Sequence, residues 1–191
     1  MTIWRVTDMI GYAMCGSFCT VGKSIRVMKD LACSGYEIQP IMSEILYTCD
    51  TRFGKAADIN KTVEEICGRK IIHTVVEAEP IGPKGFLDML IIAPCTGNTL
   101  AKLANGITDT SVTMAAKAML RQNKPLLIAL ASNDALSANL SNIAVMRMRK
   151  DIYFTDMSMD DEVGKPHSLV AHFDNIRNDT EKIFERYGIK K

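Results

Sequence analysis

The residues best suited to chemistry form a short polar run, Cys95-Thr96-Gly97-Asn98-Thr99. Small side chains there expose backbone N–H groups and hydroxyls. The run follows an apolar stretch, Met89-Leu90-Ile91-Ile92-Ala93, of the composition expected for a buried parallel strand. Pro94, which lacks a ladder N–H, is expected to end that strand. A strand tip that opens into a polar turn and a helix N-terminus is where α/β folds take anionic ligands. Three other places carry similar potential. Cys15-Gly16-Ser17 follows the apolar run 9–14 and has the shape of a phosphate cradle, or of an ordinary strand-to-helix turn, without a full Gly-x-Gly-x-x-Gly. Ser43 stands at the end of an expected strand, and Ser132-Asn133 at the end of another. Arg52 has the planar fork that grips a carboxylate or phosphate, although its spacing equally fits a surface arginine paired with Asp50 or with solvent.

These groups need a scaffold. The spacing predicts strands at 9–14, 36–42, 70–76, 89–93, 125–131 and 152–154. Helices are expected at 21–34, 58–67, 112–121, 138–149 and 168–187, with a short one that carries Leu100, Leu103 and Ala104 and ends at Asn105-Gly106. Asp109, Thr110 or Ser111 can cap the 112–121 helix. The connection 77–83 is turn-rich, and 155–166 reads as an acidic loop able to cover a site. Strands and helices alternate, which points to an α/β fold: an open, doubly wound parallel sheet, Rossmann-like, in three α/β/α layers, with 1–191 as one domain.

Composition narrows the class. Of 191 residues, 47% are hydrophobic and 24% charged, and the net charge of +1 gives no general electrostatic footprint for nucleic acid or a membrane surface. The amino terminus has too short an apolar run for a secretion signal, and no run approaches the ~18 apolar residues a membrane span needs, so a cytoplasmic protein is expected. The cysteines at 15, 19, 33, 49, 67 and 95 form no Cys-x-x-Cys pair and have no zinc-like spacing with His73, His167 or His172. They read as reduced thiols, with no metal site expected, and His73, inside an apolar run, reads as structural.

Two blocks carry a resemblance. Ala93-Pro94-Cys95-Thr96-Gly97-Asn98-Thr99, followed by Lys102-Leu103-Ala104-Asn105-Gly106-Ile107-Thr108-Asp109, resembles the signature of the homo-oligomeric flavin-containing cysteine decarboxylase superfamily. The resemblance implies that Pro94, Thr96, Asn98, Thr99 and Asp109 belong to a flavin mononucleotide (FMN) site. It makes Gly16 and Ser17 the first phosphate-side turn and places Ser43 where the second strand meets the cofactor. Further segments are similar to one branch, the flavoprotein subunit of a two-subunit synthase: Thr48-x-Asp50-Thr51-Arg52-Phe53-Gly54, 78–84, 132–136, 151–154 and 165–168. That branch implies a partner A subunit, with NADP or NAD on the partner. The pair forms pyridine-2,6-dicarboxylate from a dihydrodipicolinate-level precursor in the mother cell of a sporulating bacterium. It also implies a homo-oligomer, often a trimer, with flavin between subunits.

Arg52 is then the clamp for a small dicarboxylate substrate, while Asn98, Ser132 and Asn133 face flavin or substrate. Two departures count against a decarboxylase of the same fold. Residues 44–54 hold no histidine, and the Pro-x-Met-Asn-x-x-Met-Trp clamp is represented only by Ser132-Asn133-x-x-Leu136. A non-catalytic flavin-binding or flavin-free chain that stabilises the A subunit is the third reading.

Overall fold

Four apolar runs build the centre of the sheet: β1 (Met9–Met14), β2 (Glu37–Met42), β3 (Met89–Cys95) and β4 (Leu126–Ser132). The computed structural model describes residues 8–189; residues 1–7, where the amino-terminal run considered for a secretion signal begins, and 190–191 lie outside it. Every position of β3 and β4 is buried, as a strand covered on both faces requires. β1 pairs in parallel with β2 and β3, and β3 with β4, in the order β2-β1-β3-β4. Beyond β4 the sheet changes. Its outer edge is shared by β5 (Ile152–Phe154), parallel to its first half, and β7 (Leu169–Ala171), antiparallel at Ala131 and Ser132. β6 (Met157–Ser158) closes that side, antiparallel to β7. The expected doubly wound sheet is therefore present, but mixed rather than wholly parallel.

Alternation along the strands sorts the core into two layers. Tyr12 and Met14 pack on one face with Met28 and Leu31 of α1 (Val21–Cys33), Val63 of α3 (Ala56–Cys67) and Phe184 of α9 (Ile176–Tyr187). Ala13, Leu90 and Ile92 pack on the other with helices α6 (Gly97–Ala104), α7 (Ser111–Arg121) and α8 (Leu140–Met148). Both layers cover the sheet, and the polar turns collect at the carboxyl ends of β1 to β4.

Several local expectations are corrected. Pro94 does not end β3; the strand runs on to Cys95 with a register shift between Ile92 and Cys95, so the residue without an N–H sits in the irregularity rather than in the ladder. The expected strand at 70–76 reduces to one bridge, Ile72 to Ile41. Thr74 and Glu77 form a reciprocal capping box that starts α4 (Val75–Ala78), and Ile81–Lys84 forms α5, so the turn-rich 77–83 connection is partly helical. Glu44–Thr48, after Ser43, is a short helix, α2. The acidic 155–166 segment contains β6. The final helix begins at Ile176 rather than near 168, because Leu169–Ala171 is drawn into the sheet by β4 and β6.

Candidate functional site

The carboxyl ends of β1, β2 and β3 converge through backbone bonds. The Cys15 N–H donates to the Pro94 carbonyl at 3.0 Å, and the Ser43 N–H donates to the Met14 carbonyl at 2.9 Å. Three turns distant in sequence are thereby stitched into one floor. Above it lies a cleft of about 580 Å³, within the ~300–1,000 Å³ range of small-molecule sites; it is bounded by Cys15, Gly16, Ser43, Thr96, Asn98 and Thr99, with Ile45, Thr48, Lys102 and Thr110 at its sides.

The third turn is organised by Thr96, which caps α6. Its Oγ1 accepts from the Thr99 N–H at 3.2 Å and donates to Thr99 Oγ1 at 3.1 Å. Thr99 Oγ1 passes the chain on, donating to Cys15 Sγ at 3.3 Å. Burial pushes the Cys15 thiol up to about 11, with that hydroxyl acting in the opposite direction, so this thiol stays protonated at neutral pH. Burial likewise lifts the Cys95 thiol well above its ordinary range.

Two features fit a ligand with a flat apolar part and a polar tail. Ser43 is only 9% exposed, and its Oγ has no hydrogen-bond partner, a costly arrangement unless a ligand completes it. Ile45, 55% exposed, offers apolar surface at the rim. Gly16 keeps the entrance open, since a Cβ there would come to 3.1 Å from Ile45 Cγ2. Flavin matches this donor set: hydroxyls and turn N–H groups for a phosphate and ring edge, and an aliphatic wall for the ring.

Of the residues expected from sequence, Gly16, Ser43, Thr96, Asn98 and Thr99 meet in this cleft, and Pro94 lies beneath it. The others point elsewhere. Ser17 Oγ accepts from Thr20 Oγ1 at 3.0 Å. Asp109 holds Lys102 Nζ at 2.8 Å through each oxygen, and that ammonium keeps its carboxyl below the usual range. Ser132 donates to Asp134, and Asn133 Oδ1 accepts from Ser168 Oγ at 3.4 Å. Arg52 is exposed on a loop pinned by mutual Thr51 and Gly54 backbone bonds, its guanidinium 4.8 Å from the Phe53 ring centroid. Asp50, one of the partners its spacing allowed, accepts instead from the Ala56 N–H at 2.8 Å. Sequence reasoning did not assign Ile45 and Lys102 to the site. Lys102 lies inside the resemblance block and could have been found there; an apolar residue two beyond Ser43 was the only signal for Ile45. Among the described residues no cluster of His, Cys, Asp or Glu could hold a metal ion, and no helix is long and apolar enough to cross a membrane.

A mostly parallel three-layer sheet with a cofactor-sized cleft at its strand tips defines an α/β nucleotide-cofactor protein. Comparison with known proteins gives the family: the chain belongs to the Flavoprotein family, whose model matches residues 6–179. It is 39% identical over 173 residues to the B subunit of dipicolinate synthase of Bacillus subtilis (strain 168), covering 91% of this chain and 86% of that protein. The crystal structure of the dipicolinate synthase B subunit from Bacillus halodurans superposes with a TM-score of 0.85 at 36% identity, over 93% of this chain and 91% of that one. The FMN-dependent cysteine decarboxylase SpaF shares the fold, with a TM-score of 0.71 at 19% identity over 94% and 97% of the two chains. The resemblance read from the sequence is thus borne out at the level of family and fold.

Proposed function

We propose that this chain is the B subunit of a dipicolinate synthase and holds FMN in the cleft at the ends of β1, β2 and β3. The observation that carries the cofactor assignment is the buried, unpartnered Ser43 Oγ among Gly16, Thr96, Asn98 and Thr99. The likeness to B subunits of dipicolinate synthase carries the reaction. Converting a dihydropyridine dicarboxylate to pyridine-2,6-dicarboxylate removes two electrons and two protons, and a bound flavin supplies an acceptor for a hydride equivalent. The protein's own part is to bind and orient. Ser43, Thr99 and the turn N–H groups hold the polar end of the cofactor, Asn98 offers its carboxamide to ring or substrate, and Ile45 shields the apolar part.

Arg52, outside the cleft but four residues beyond Thr48 at its side, serves as the carboxylate clamp for a substrate that extends past the rim. Among the described residues it has no carboxylate partner of its own, and its loop is held rigid by the Thr51–Gly54 bonds. The A subunit supplies the nicotinamide (NADP or NAD). Self-association follows the apolar residues α8 leaves exposed, Leu140 and Met148.

The A subunit, assayed on dihydrodipicolinate with and without this chain, tests the reading. Dipicolinate formation is expected to rise at least about tenfold when both are present, and Arg52→Ala to raise the half-saturating substrate concentration by about tenfold, the loss of one charge-assisted contact. Equal rates from the isolated A subunit contradict the assignment.

A further inference from the structure

Gly97 opens α6 and is buried, and the space its side chain would fill is already taken. A Cβ there would lie 2.5 Å from Asn139 Nδ2, 2.6 Å from Ser132 Oγ and 2.8 Å from Asp134 Oδ1. Those three side chains bond to one another. Ser132 Oγ donates to Asp134 Oδ1, and Asn139 Nδ2 donates to Asp134 Oδ2 at 3.0 Å. Asn139, only 5% exposed, accepts at Oδ1 from Asn142 Nδ2 at 3.0 Å. The turn itself is closed by the Ser137 and Asn139 N–H groups donating to the Asp134 carbonyl at 3.2 and 3.0 Å. A carboxylate with both oxygens engaged therefore sits against the start of an eight-residue helix. Unpaired N–H groups and the positive end of the helix dipole favour an anion at such a place.

We propose that Asp134 is a positioning residue of the cleft: held by Ser132 and Asn139, it fixes the first turn of α6 and so aims Asn98 and Thr99 at the ligand. Asp134 does not line the cleft; it acts through α6. The arrangement also explains why Ser132 is absent from the cleft wall, since its hydroxyl is committed to the carboxylate.

Two measurements on the full chain test this: FMN titration by fluorescence quenching, and amide hydrogen exchange over 97–100 with α9 as control. In Asp134→Ala, exchange over 97–100 is expected to accelerate at least about tenfold with α9 unchanged, and the FMN dissociation constant to rise about tenfold. Asp134→Asn can turn its carbonyl oxygen to accept from Asn139 Nδ2 and its NH2 to donate to Ser132 Oγ, and is expected to recover FMN affinity to within about threefold of wild type. Should Asp134→Ala fail to fold, Ser132→Ala removes one of the two donors and carries the same exchange test. Unchanged exchange over 97–100 overturns the proposal, as does acceleration spread equally over α9. The FMN arm rests on the flavin reading. If the wild-type chain binds no flavin, that reading fails, while the exchange arm still decides the role of Asp134.

Discussion

Ser43 carries a hydroxyl that is buried and unbonded, a state that costs about 1–3 kcal/mol in a protein interior. Removing it separates binding from stability. Ser43→Ala is predicted to raise the thermal midpoint of the ligand-free chain while weakening FMN about tenfold, read by calorimetry and by fluorescence titration. A lower thermal midpoint with FMN affinity unchanged would show that the hydroxyl serves the fold alone. Cys15 gives a pH test. Its folded-state value, about 11, lies above the ordinary 9.0, so the folded state holds its proton longer than the unfolded chain does. Stability is full below about pH 9 and falls as pH rises towards 11, by about 1 kcal/mol at pH 10 from this thiol. Denaturant melts at pH 7.5 and 10 check the sign, and Cys15→Ala should flatten part of the slope. Motif spacing picks out the turns that meet in the cleft, but not which way each side chain faces. The family resemblance puts Asp109 and Ser132 at the cofactor. In the structure Asp109 bonds Lys102 and Ser132 bonds Asp134, and Lys102 itself stands at the cleft.

At the scale of elements, the first residue of α6 has no room for a side chain. Gly97→Ala would drive a methyl group into Asn139, Ser132 and Asp134, and should cost about 1–3 kcal/mol by overpacking. A denaturation midpoint equal to wild type would mean those side chains swing aside freely. The long elements were readable because their signals are local. Gly35 and Gly68 end α1 and α3, Thr110 caps α7, and the apolar runs of β3 and β4 are buried at every position. β6 and β7 were not readable. They are two and three residues long, and their strand character comes from pairing with β4 and with each other rather than from any periodicity of their own. At 70–76 the apolar run suggested a strand, while the Thr74–Glu77 capping box turned its second half into a helix start.

For the whole molecule, one surface matters most. α8 buries Ile143 and Met146 yet leaves Leu140 53% and Met148 79% exposed, so apolar residues face both the core and the outside. Such a helix is predicted to be covered in a homo-oligomer. Light scattering should give a mass above 21.1 kDa for the wild type, and Leu140→Glu with Met148→Glu should lower it; a monomeric wild type would contradict the prediction. A redox-active flavin in the cleft of this chain has a direct spectroscopic signature. The purified chain is loaded with FMN, mixed anaerobically with the A subunit, then given dihydrodipicolinate. Bleaching of the flavin bands as dipicolinate forms is the predicted result. Dipicolinate formation with an unchanged flavin spectrum would contradict it and leave this chain a non-redox partner.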